Sequence, residues 1–429
     1  MAQYSKHYKD YLPQEKTNFE VVMLADNYGE VNPGTGGTAV DAFGRSRQSM
    51  PQTLFDSQHR YAENSYWDTS LTGSASKSYN IYESCVNLTV SGALNDKVVR
   101  QTKRVFSYQP GKSLLTMNSF AFAPQATGVR QRIGYFGADN GIYFENDGTG
   151  NYMVLRKKLT SGAATEIRVA QDDWNMDPFD GTGPSLRTLD ISKANIFWMD
   201  IEWLGVGDVR CGFVVDGKMA IAHVFHNDNI NPSTYMTTAI LPLRMEIENT
   251  AATTGVTHTA KQICNTVISE GGYQKITKSK LVRRTTNATI SDTAFSPIAA
   301  IRLNSGSLDS IILPQRYNVY APSQANFEVA WILNPTTLTN ATTLTWTQQN
   351  NIDYCIDATT MTGGTILHSE YFSATNQSGG SLNVEQQYNF DTQLGRTIAG
   401  TSDVLVLAAQ HLGSNTKDLR GSIEYYDLT

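Results

Sequence analysis

The stretch YFGADNGIYFE at residues 135–145 decides the fold class. It places an Asn-Gly pair between two runs rich in aromatic residues, and such a pair is the strongest short-range signal for a tight β-hairpin turn. Directly after it, NDG at residues 146–148 leads into YMVLR at residues 152–156. The segment is therefore expected to fold as consecutive strands joined by tight turns.

Similar signals recur further along the chain. CGFVV (211–215) and MAIAHVF (219–225) flank an Asp-Gly pair, and QICNTVI (262–268) has the composition of a strand. The near-helical patterns are short and rich in Thr or Gly, so no amphipathic helix is expected. We therefore predict a first all-β domain of sandwich or jelly-roll type over residues 61–285.

Residues 286–429 form a second β unit in this interpretation. Candidate buried strands lie at residues 297–303, 329–333 and 404–407, separated by turns rich in Thr, Asn and Ser. Residues 1–60 lack a clean hydrophobic period and contain a Gly-rich loop, and they are predicted to form an arm; loops packed on the first domain are the alternative. The predicted fold class is all-β: two β-sandwich (jelly-roll-like) domains with an extended N-terminal arm.

The charge content is low and unevenly placed. Charged residues make up 17% of the 429 residues, against about 25% in average soluble proteins. The net charge of −6 lies entirely in residues 331–429, which hold nine acidic and three basic residues. A neutral body with an acidic end argues against a nucleic-acid binder, which needs a concentrated basic face. The 40% hydrophobic content argues against a disordered chain.

Membrane and redox features are not expected either. The longest apolar run, VLVLAA at residues 404–409, is much shorter than the roughly 20 residues that a membrane helix needs. The first residues, MAQYSKHY, lack the apolar region of a secretory signal. The four cysteines show no CxxC spacing, so neither a zinc site nor a disulfide framework is predicted.

A basic stretch at residues 275–284 holds five Lys and Arg residues between the two predicted domains. The favoured interpretation is a solvated linker or an edge strand, since lysine on an edge strand deters unwanted pairing. The alternative is a contact with an acidic neighbour, such as the acidic C-terminal domain of another copy.

The segment WMDIEW at residues 198–203 is the main candidate for chemistry. On a strand, Asp200 and Glu202 project from the same face, so their carboxyl groups could approach as an acid–base pair does. Jelly-roll glycanases carry the pattern E-x-D-x-x-E, and here Trp198 and Trp203 stand where that pattern has its two Glu residues. The favoured interpretation is a strand that exposes two carboxylates to solvent or to Arg. The alternative is a glycan-binding or glycan-hydrolysing site formed by Asp200, Glu202 and Trp198.

A second acidic segment resembles part of a calcium loop. Asp173, Asn175 and Asp177 match its first three ligand places. Pro178 and Pro184 stand where that loop needs Gly and a bidentate Glu. A polar loop that bonds to itself is favoured, and a structural cation near Asp173–Asp177 stays open.

The remaining motifs give no catalytic assignment. His223 and His226 lie three apart at the end of a predicted strand and should face opposite sides. No G-x-S-x-G motif occurs. We therefore predict no catalytic residues, no cofactor and no metal, and a protein that is not an enzyme.

Several short motifs together resemble a known family. They occur in the order AFGRSR (42–47), TLFDSQHRY (53–61), GYF (134–136), NGIYFE (140–145), QDDWN (171–175), IEWLGVG (201–207) and EGGY (270–273). This set is similar to virion structural proteins of tailed bacteriophages of the marine and cyanophage type, over residues 40–275. The C-terminal part is similar only in general character.

The resemblance implies a particle component, assembled in the host cytoplasm and located in the virion. The function expected from it is a non-enzymatic structural role at the baseplate, the tail-fibre attachment region or another part of the tail. A capsid-exterior (decoration) protein is one alternative, and a glycan-binding or glycan-hydrolysing phage protein is the other. The expected partners are copies of the chain and other virion structural proteins, with a host-surface glycan left open. No nucleic acid and no membrane insertion are expected.

Overall fold

The computed structural model describes residues 50–253, 255–374 and 392–429, together with the backbone of residues 380–385. Within this part of the chain the regular elements are β-strands, apart from one short 3-10 helix at Gln171–Asp173. No helix there is long and apolar enough to cross a membrane. The all-β prediction is confirmed.

The strands fall into two groups in chain order. The first group is β1 (Gln52–Ser57), β2 (Trp67–Thr72), β3 (Ser76–Asn80), β4 (Cys85–Val90), β5 (Lys97–Thr102), β6 (Phe106–Ser107), β7 (Leu114–Ala121), β8 (Val129–Phe136), β9 (Gly141–Asn146), β10 (Asn151–Lys157), β11 (Thr165–Ala170), β12 (Asn195–Ile201), β13 (Val209–Val215), β14 (Lys218–Phe225), β15 (Ile240–Leu241), β16 (Leu243–Asn249) and β17 (His258–Ser269). The second group is β18 (Ser279–Ile290), β19 (Ser296–Leu303), β20 (Ile312–Ala321), β21 (Ala325–Leu333), β22 (Thr337–Thr339), β23 (Thr347–Gln349), β24 (Ile352–Cys355), β25 (Thr360–Thr362), β26 (Thr365–Ala374), β27 (Gly380–Glu385), β28 (Val404–His411) and β29 (Lys417–Asp427).

The first group forms a sandwich of two antiparallel sheets. One sheet has the order β14-β13-β12-β7-β17-β4-β3, with β1 also paired to β17, and the other has the order β11-β10-β9-β8-β16-β5-β2. Their inner faces share an aromatic core. In it, the ring of Phe144 on β9 lies 5.8 Å from that of Phe197 on β12 and 5.2 Å from that of Phe213 on β13. Strands from both predicted hairpins, β9 and β13, therefore contribute side chains to the same core.

The predicted hairpin joins β8 to β9, but its loop is residues 137–140, and the Asn-Gly pair lies at the end of this loop with Gly141 as the first residue of β9. Phe136 pairs with Gly141, and the Gly137 amide donates to the Asn140 carbonyl at 2.8 Å. Gly141 has a φ of +142°, and a Cβ there would lie 2.2 Å from Cβ of Phe136. Only glycine fits this position, because both the backbone angle and the close approach exclude a side chain.

The second group forms another antiparallel sandwich. Its sheets have the orders β18-β29-β20-β27 and β23-β24-β19-β28-β21-β26. Tyr317 on β20 and Trp331 on β21, whose rings lie 5.6 Å apart, fill its core. The outer face of the six-stranded sheet is also covered, since Met361 of β25 and the flanking Leu338 of β22 pack on Val406 and Ala408. Burial on both faces explains why residues 404–409 are continuously apolar instead of alternating.

The two sandwiches share apolar packing at their junction. Ile311, which directly precedes β20, and Leu313, the second residue of β20, are buried in the core of the first sandwich. Tyr426 and Leu428, at the end of β29, pack against the same core. Residues 51–429 form one compact unit. Side chains of the second sandwich thus complete the hydrophobic core of the first.

A loop of the second sandwich adds hydrogen bonds to this junction. The buried Gln393 side chain donates from Nε2 to the Val105 carbonyl at 3.0 Å. The Arg396 amide donates to the Lys103 carbonyl at 2.8 Å. Backbone carbonyls between β5 and β6 are therefore satisfied by the other sandwich, which ties the two together.

The division between the sandwiches differs in position from the predicted boundaries. Residues 52–57, expected in the arm, form β1 and pair with β17, and Leu54 and Phe55 are buried there. Residues 279–285, assigned to the first domain, belong to β18 and pair with β29 of the second sandwich. β1 belongs to the first sandwich because Leu54 and Phe55 are buried in its core. β18 belongs to the second sandwich because its backbone pairs with β29. The rest of the predicted arm, residues 1–49, lies outside the described residues.

The outer face of the seven-stranded sheet carries a network of buried charges. Arg132 on β8 stands opposite Glu246 on β16 and Glu145 on β9. Its Nη2 lies 2.7 Å from Oε2 of Glu246. Only 5% of the Arg132 side chain, 2% of that of Glu246 and none of that of Glu145 is exposed. Burial alone would raise the pKa of Glu246, but the guanidinium groups of Arg132 and Arg244 outweigh it and lower the pKa to about 2.

The basic stretch at 275–284 is used within the chain. Nζ of Lys280 lies 2.7 Å from Oδ2 of Asp427, whose side chain is buried. Nη1 of Arg284 donates to the carbonyl of Ala358 at 3.3 Å. β18, which holds Lys280 and Arg284, lies at the edge of the four-stranded sheet among the described residues, in line with the favoured interpretation. The acidic partner of Lys280 is Asp427 of the same chain, so this contact does not need a second copy.

Candidate functional site

Strand β12 places the predicted site residues by simple alternation. Phe197, Met199 and Ile201 point into the core of the first sandwich. Trp198 and Asp200 therefore point to the outer face of the eight-stranded sheet. Glu202 follows the last residue of β12 and is exposed. Sequence alternation thus predicts the face correctly for the two carboxylates.

Asp200 and Glu202 line a groove of about 550 Å³ on this outer face. Arg210 from β13 and His226, which follows β14, line it on one side. Tyr108 and residues 111–113, between β6 and β7, also line it, together with Met176. Residues from five separate segments of the chain therefore line this groove around Asp200 and Glu202. We call it the Asp200 groove.

Asp200 is buried at the floor of this groove. It stands directly opposite Arg210 in the β12–β13 ladder and forms an ion pair with its Nη2 through Oδ2. Only 7% of the Asp200 side chain is exposed, whereas 54% of that of Arg210 is exposed. Oδ1 of Asp200 is buried and has no hydrogen-bond partner among the described residues. Since buried polar atoms are nearly always satisfied, this oxygen is available to accept from a water molecule or a ligand in the groove.

The rim of the groove mixes acidic and basic groups. The Glu202 amide donates to the Asp208 carbonyl at 3.1 Å, and the Glu202 side chain forms no hydrogen bond or ion pair with the described residues. Oδ2 of Asp208 lies 2.8 Å from Nδ1 of His226. Nζ of Lys112 donates to the Gly272 carbonyl at 2.9 Å. The groove therefore offers carboxylate acceptors and cationic donors side by side, and neither sign of charge dominates it.

A tight turn after β12 keeps Glu202 at the rim. The Val206 and Gly207 amides both donate to the Trp203 carbonyl at 2.8 Å. A Cβ at Gly207 would lie 2.1 Å from the Glu202 carbonyl oxygen, so only glycine allows this approach. Trp203 packs edge-on against Tyr108, with 6.1 Å between ring centroids. Burial is the main reason that the pKa of Tyr108 is raised, and the negative charge of Glu202 adds to it.

Trp198 does not contribute to the groove. Only 3% of this residue is exposed. Its ring lies over Gly212, where a Cβ would come within 2.9 Å of Cζ2 of Trp198. The hypothesis of a glycan-hydrolysing site required an exposed Trp198 and unpaired carboxylates, whereas Trp198 is buried and Asp200 is paired with Arg210. Alternation along β12 predicts the face of Trp198 but not its burial. The burial arises because Gly212, opposite Trp198 on β13, has no side chain and the indole covers it.

The calcium-like segment is a loop held by hydrogen bonds to strand β14 and by hydrogen bonds within the loop. The side chain of Asn175 bonds to both backbone groups of Val224, accepting at 2.9 Å and donating at 3.0 Å. Asp177 is buried and accepts from the Phe179 and Ser185 amides at 2.8 and 2.7 Å. In the described part of the chain no group of three or more His, Cys, Asp or Glu residues is arranged to hold a metal ion. The loop anchors Met176 beside the groove.

The two histidines face different surroundings, as predicted. His223 is buried, and burial followed by the charge of His226 lowers its pKa to about 4. His226 lines the Asp200 groove. His226, Arg210, Tyr108 and Met176 were all missed as site residues from the sequence. The hairpin between β12 and β13 is the signal that could have located Arg210, because it places one of the two cross-strand partners of Asp200 on β13; the other is Leu115 on β7.

Comparisons with known proteins give weak structural similarity. No protein-family model matches the chain, and no curated protein matches its sequence. The CBM2 module of the evolved Dit protein of Lactobacillus casei BL23 phage J-1 has 5% identity and a TM-score of 0.37, covering 53% of this chain and 100% of that one. Endo-β-1,4-glucuronan lyase from the fungus Trichoderma reesei has 14% identity and a TM-score of 0.34, covering 50% and 95%. A carbohydrate esterase of the Shiga toxin-encoding bacteriophage phi24B has 11% identity and a TM-score of 0.30, covering 51% and 99%. Two of these three are phage proteins, and values this low carry no activity over to this chain.

Proposed function

We propose that this chain is a non-enzymatic structural component of a tailed-bacteriophage particle, located at the tail. The single structural observation that supports this role is the shared core of the two sandwiches, in which Ile311 and Leu313 of the second complete the first. A rigid two-sandwich unit keeps the outer surfaces of both sandwiches in a fixed geometry relative to each other. Permanent protein–protein interfaces require surfaces of fixed geometry. The motif resemblance over residues 40–275 points to the same class of particle.

The experiment that tests this proposal starts from purified particles of the phage that encodes the chain. Particles are banded by density, washed with high salt and probed with antibodies against residues 51–429. We expect the chain to remain with the particles and the antibody to label the tail in electron micrographs. Labelling over the capsid would favour the decoration-protein alternative. Absence of the chain from washed particles would overturn the proposal.

A second candidate function is binding of a host-surface glycan in the Asp200 groove. The observation that favours it is the unsatisfied Oδ1 of Asp200, buried at the floor of an open groove. Sugar hydroxyls can donate to Asp200 and Glu202 and accept from Arg210, while Met176 offers apolar contact. A neutral, hydroxyl-rich ligand suits this mixture better than a strongly charged one. Binding without cleavage is the form that we propose, because Asp200 is held by Arg210.

The groove makes a direct prediction for glycan binding. In a screen of host-surface oligosaccharides, Glu202→Gln should weaken the affinity of any bound glycan by about tenfold, since it removes a charged acceptor. The Glu202 side chain has no hydrogen-bond or ion-pair partner in the described residues, so its replacement should leave folding unchanged. Glu328→Gln in the second sandwich is the matched control and should bind normally. Equal binding by both variants, or no binding by the parent chain, would contradict this role.

A further inference from the structure

Strand β26 (Thr365–Ala374) lies at the edge of the six-stranded sheet. One side of it pairs with β21, and no strand of the described residues pairs with the other side. Natural edge strands are usually short, or carry Lys, Pro or an inward charge that prevents pairing with another chain. β26 is ten residues long, and its sequence TILHSEYFSA contains no Lys, Arg or Pro. Its one acidic residue, Glu370, shares the face of the core residue Phe372, and its Oε1 lies 3.0 Å from Nε2 of His368. Since the strand has no proline, none of the backbone N–H groups that point away from β21 is missing.

The side chains of β26 are unusually apolar for an exposed edge. Ile366 is 51% exposed, Leu367 41% and Tyr371 72%. These three residues lie within six positions on one strand. An exposed apolar edge of this kind is a site for strand addition.

The centre of β26 is complementary to itself in antiparallel orientation. If two copies of the strand are aligned at Ser369, Leu367 of each copy faces Tyr371 of the other. In the same alignment His368 faces Glu370. Within one copy Nε2 of His368 already lies 3.0 Å from Oε1 of Glu370, so both groups are held at the sheet edge. Apolar and polar positions therefore match across the whole five-residue centre.

Other alignments of the two strands match less well. A shift of one residue would place the inner face of one sheet beside the outer face of the other. A centre at Glu370 would put two carboxylates directly opposite each other, which destabilises a strand pair. A centre at His368 would put Leu367 opposite Ser369. The register of β26 with β21 is irregular between Ile366 and His368, where Leu367 has no partner on β21, so the regular ladder covers residues 368–374.

We propose that two copies of this chain pair through β26, antiparallel and around a two-fold axis at Ser369. The six-stranded sheets of the two copies then form one continuous sheet. A two-fold axis doubles each contact, so two Leu367–Tyr371 pairs and two His368–Glu370 pairs form at once. This dimer rests on the proposed structural role, because it defines a contact between copies of the chain. The two proposals can fail separately, since a dimer measured in solution would remain valid if the chain were absent from particles.

The experiment uses the full chain with Cys264, the exposed cysteine, replaced by serine. In the proposed dimer the two copies of residue 369 lie directly opposite, at a separation that a disulfide can span. Ser369→Cys should therefore form a disulfide-linked dimer under mild oxidation. Ser373→Cys, exposed on the same strand, is the matched control, because its counterpart lies at the far end of the ladder. It should stay monomeric on a non-reducing gel.

Sedimentation velocity measures the contact without crosslinking. The parent chain should form a dimer as its concentration rises, and Tyr371→Lys should raise the dimer dissociation constant by at least about tenfold. Tyr371 is exposed, so this variant should fold normally, and its circular dichroism checks that. A parent chain that is monomeric up to about 100 µM, equal crosslinking at both cysteines, or a dimer unaffected by Tyr371→Lys would each overturn the proposal.

Discussion

Replacing Arg132 with methionine is expected to lower the free energy of unfolding by about 3–5 kcal/mol. The change keeps most of the side-chain volume and removes the charge that stands between Glu246 and Glu145. Both carboxylates are almost fully buried, so they cannot recover the lost interaction from water. The cost arises mainly from leaving buried negative charge without its central partner. Urea unfolding followed by circular dichroism measures it.

Arg130→Met is the matched control for this prediction. Arg130 lies two residues away on the same strand and the same face, but 33% of its side chain is exposed. Its partner Glu248 keeps Lys97, whose Nζ lies 2.8 Å from Oε2 of Glu248. We expect a loss of about 0–1 kcal/mol, as is usual for exposed ion pairs.

A double variant separates the cost of an unpaired charge from a general loss of packing. In Arg132→Met with Glu246→Gln, the second change removes one of the charges that the first change leaves unpaired. The double variant should therefore lose less stability than the sum of the two single variants. Strict additivity, or a loss below about 1 kcal/mol for Arg132→Met alone, would show that the buried charges are not coupled in this way.

Leu313→Ala is expected to lower the free energy of unfolding by about 2–5 kcal/mol and to weaken both sandwiches together. Leu313 belongs to a strand of the second sandwich but is 1% exposed within the core of the first. A cavity at this position removes contacts that link the two units. Hydrogen exchange followed by mass spectrometry should show faster exchange in peptides from β12 of the first sandwich and from β28 of the second.

Leu71→Ala provides the same chemical change at an exposed site. Leu71 on β2 is 48% exposed, so its truncation should change stability by no more than about 0.5 kcal/mol. If Leu313→Ala accelerated exchange in only one sandwich, the junction would not couple the two units. The structural basis of the proposed role would then be lost.

Local sequence signals predicted a large share of the fold. The Asn140–Gly141 turn requires a glycine backbone, and the strands on either side pair as their apolar pattern indicates. The domain boundaries were less accurate. Residues 52–57 were assigned to the arm because residues 1–60 show no clean hydrophobic period, and their place as a strand depends on pairing with β17, more than 200 residues away. Distant backbone pairing leaves little trace in the local pattern.

The candidate site was predicted in part. Alternation along β12 correctly assigns Asp200 to the outer face, since successive strand residues face opposite sides. It assigns Trp198 to the same face but gives no sign that the indole is buried over Gly212. Tyr108 and Met176 reach the groove from loops whose positions depend on the whole sheet. No spacing rule connects them to Asp200.

The sequence by itself determined the all-β class, the tight turns and the face of Asp200, because these depend on backbone angles and on a two-residue period. Only the tertiary structure decided that two sandwiches share a core, that the Asp200 groove exists, and that Arg132 is buried between two carboxylates. It also decided that β26 is an edge strand. These features arise where strands distant in sequence pair or leave an edge free, and pairing between distant strands is set by the packing of the whole chain.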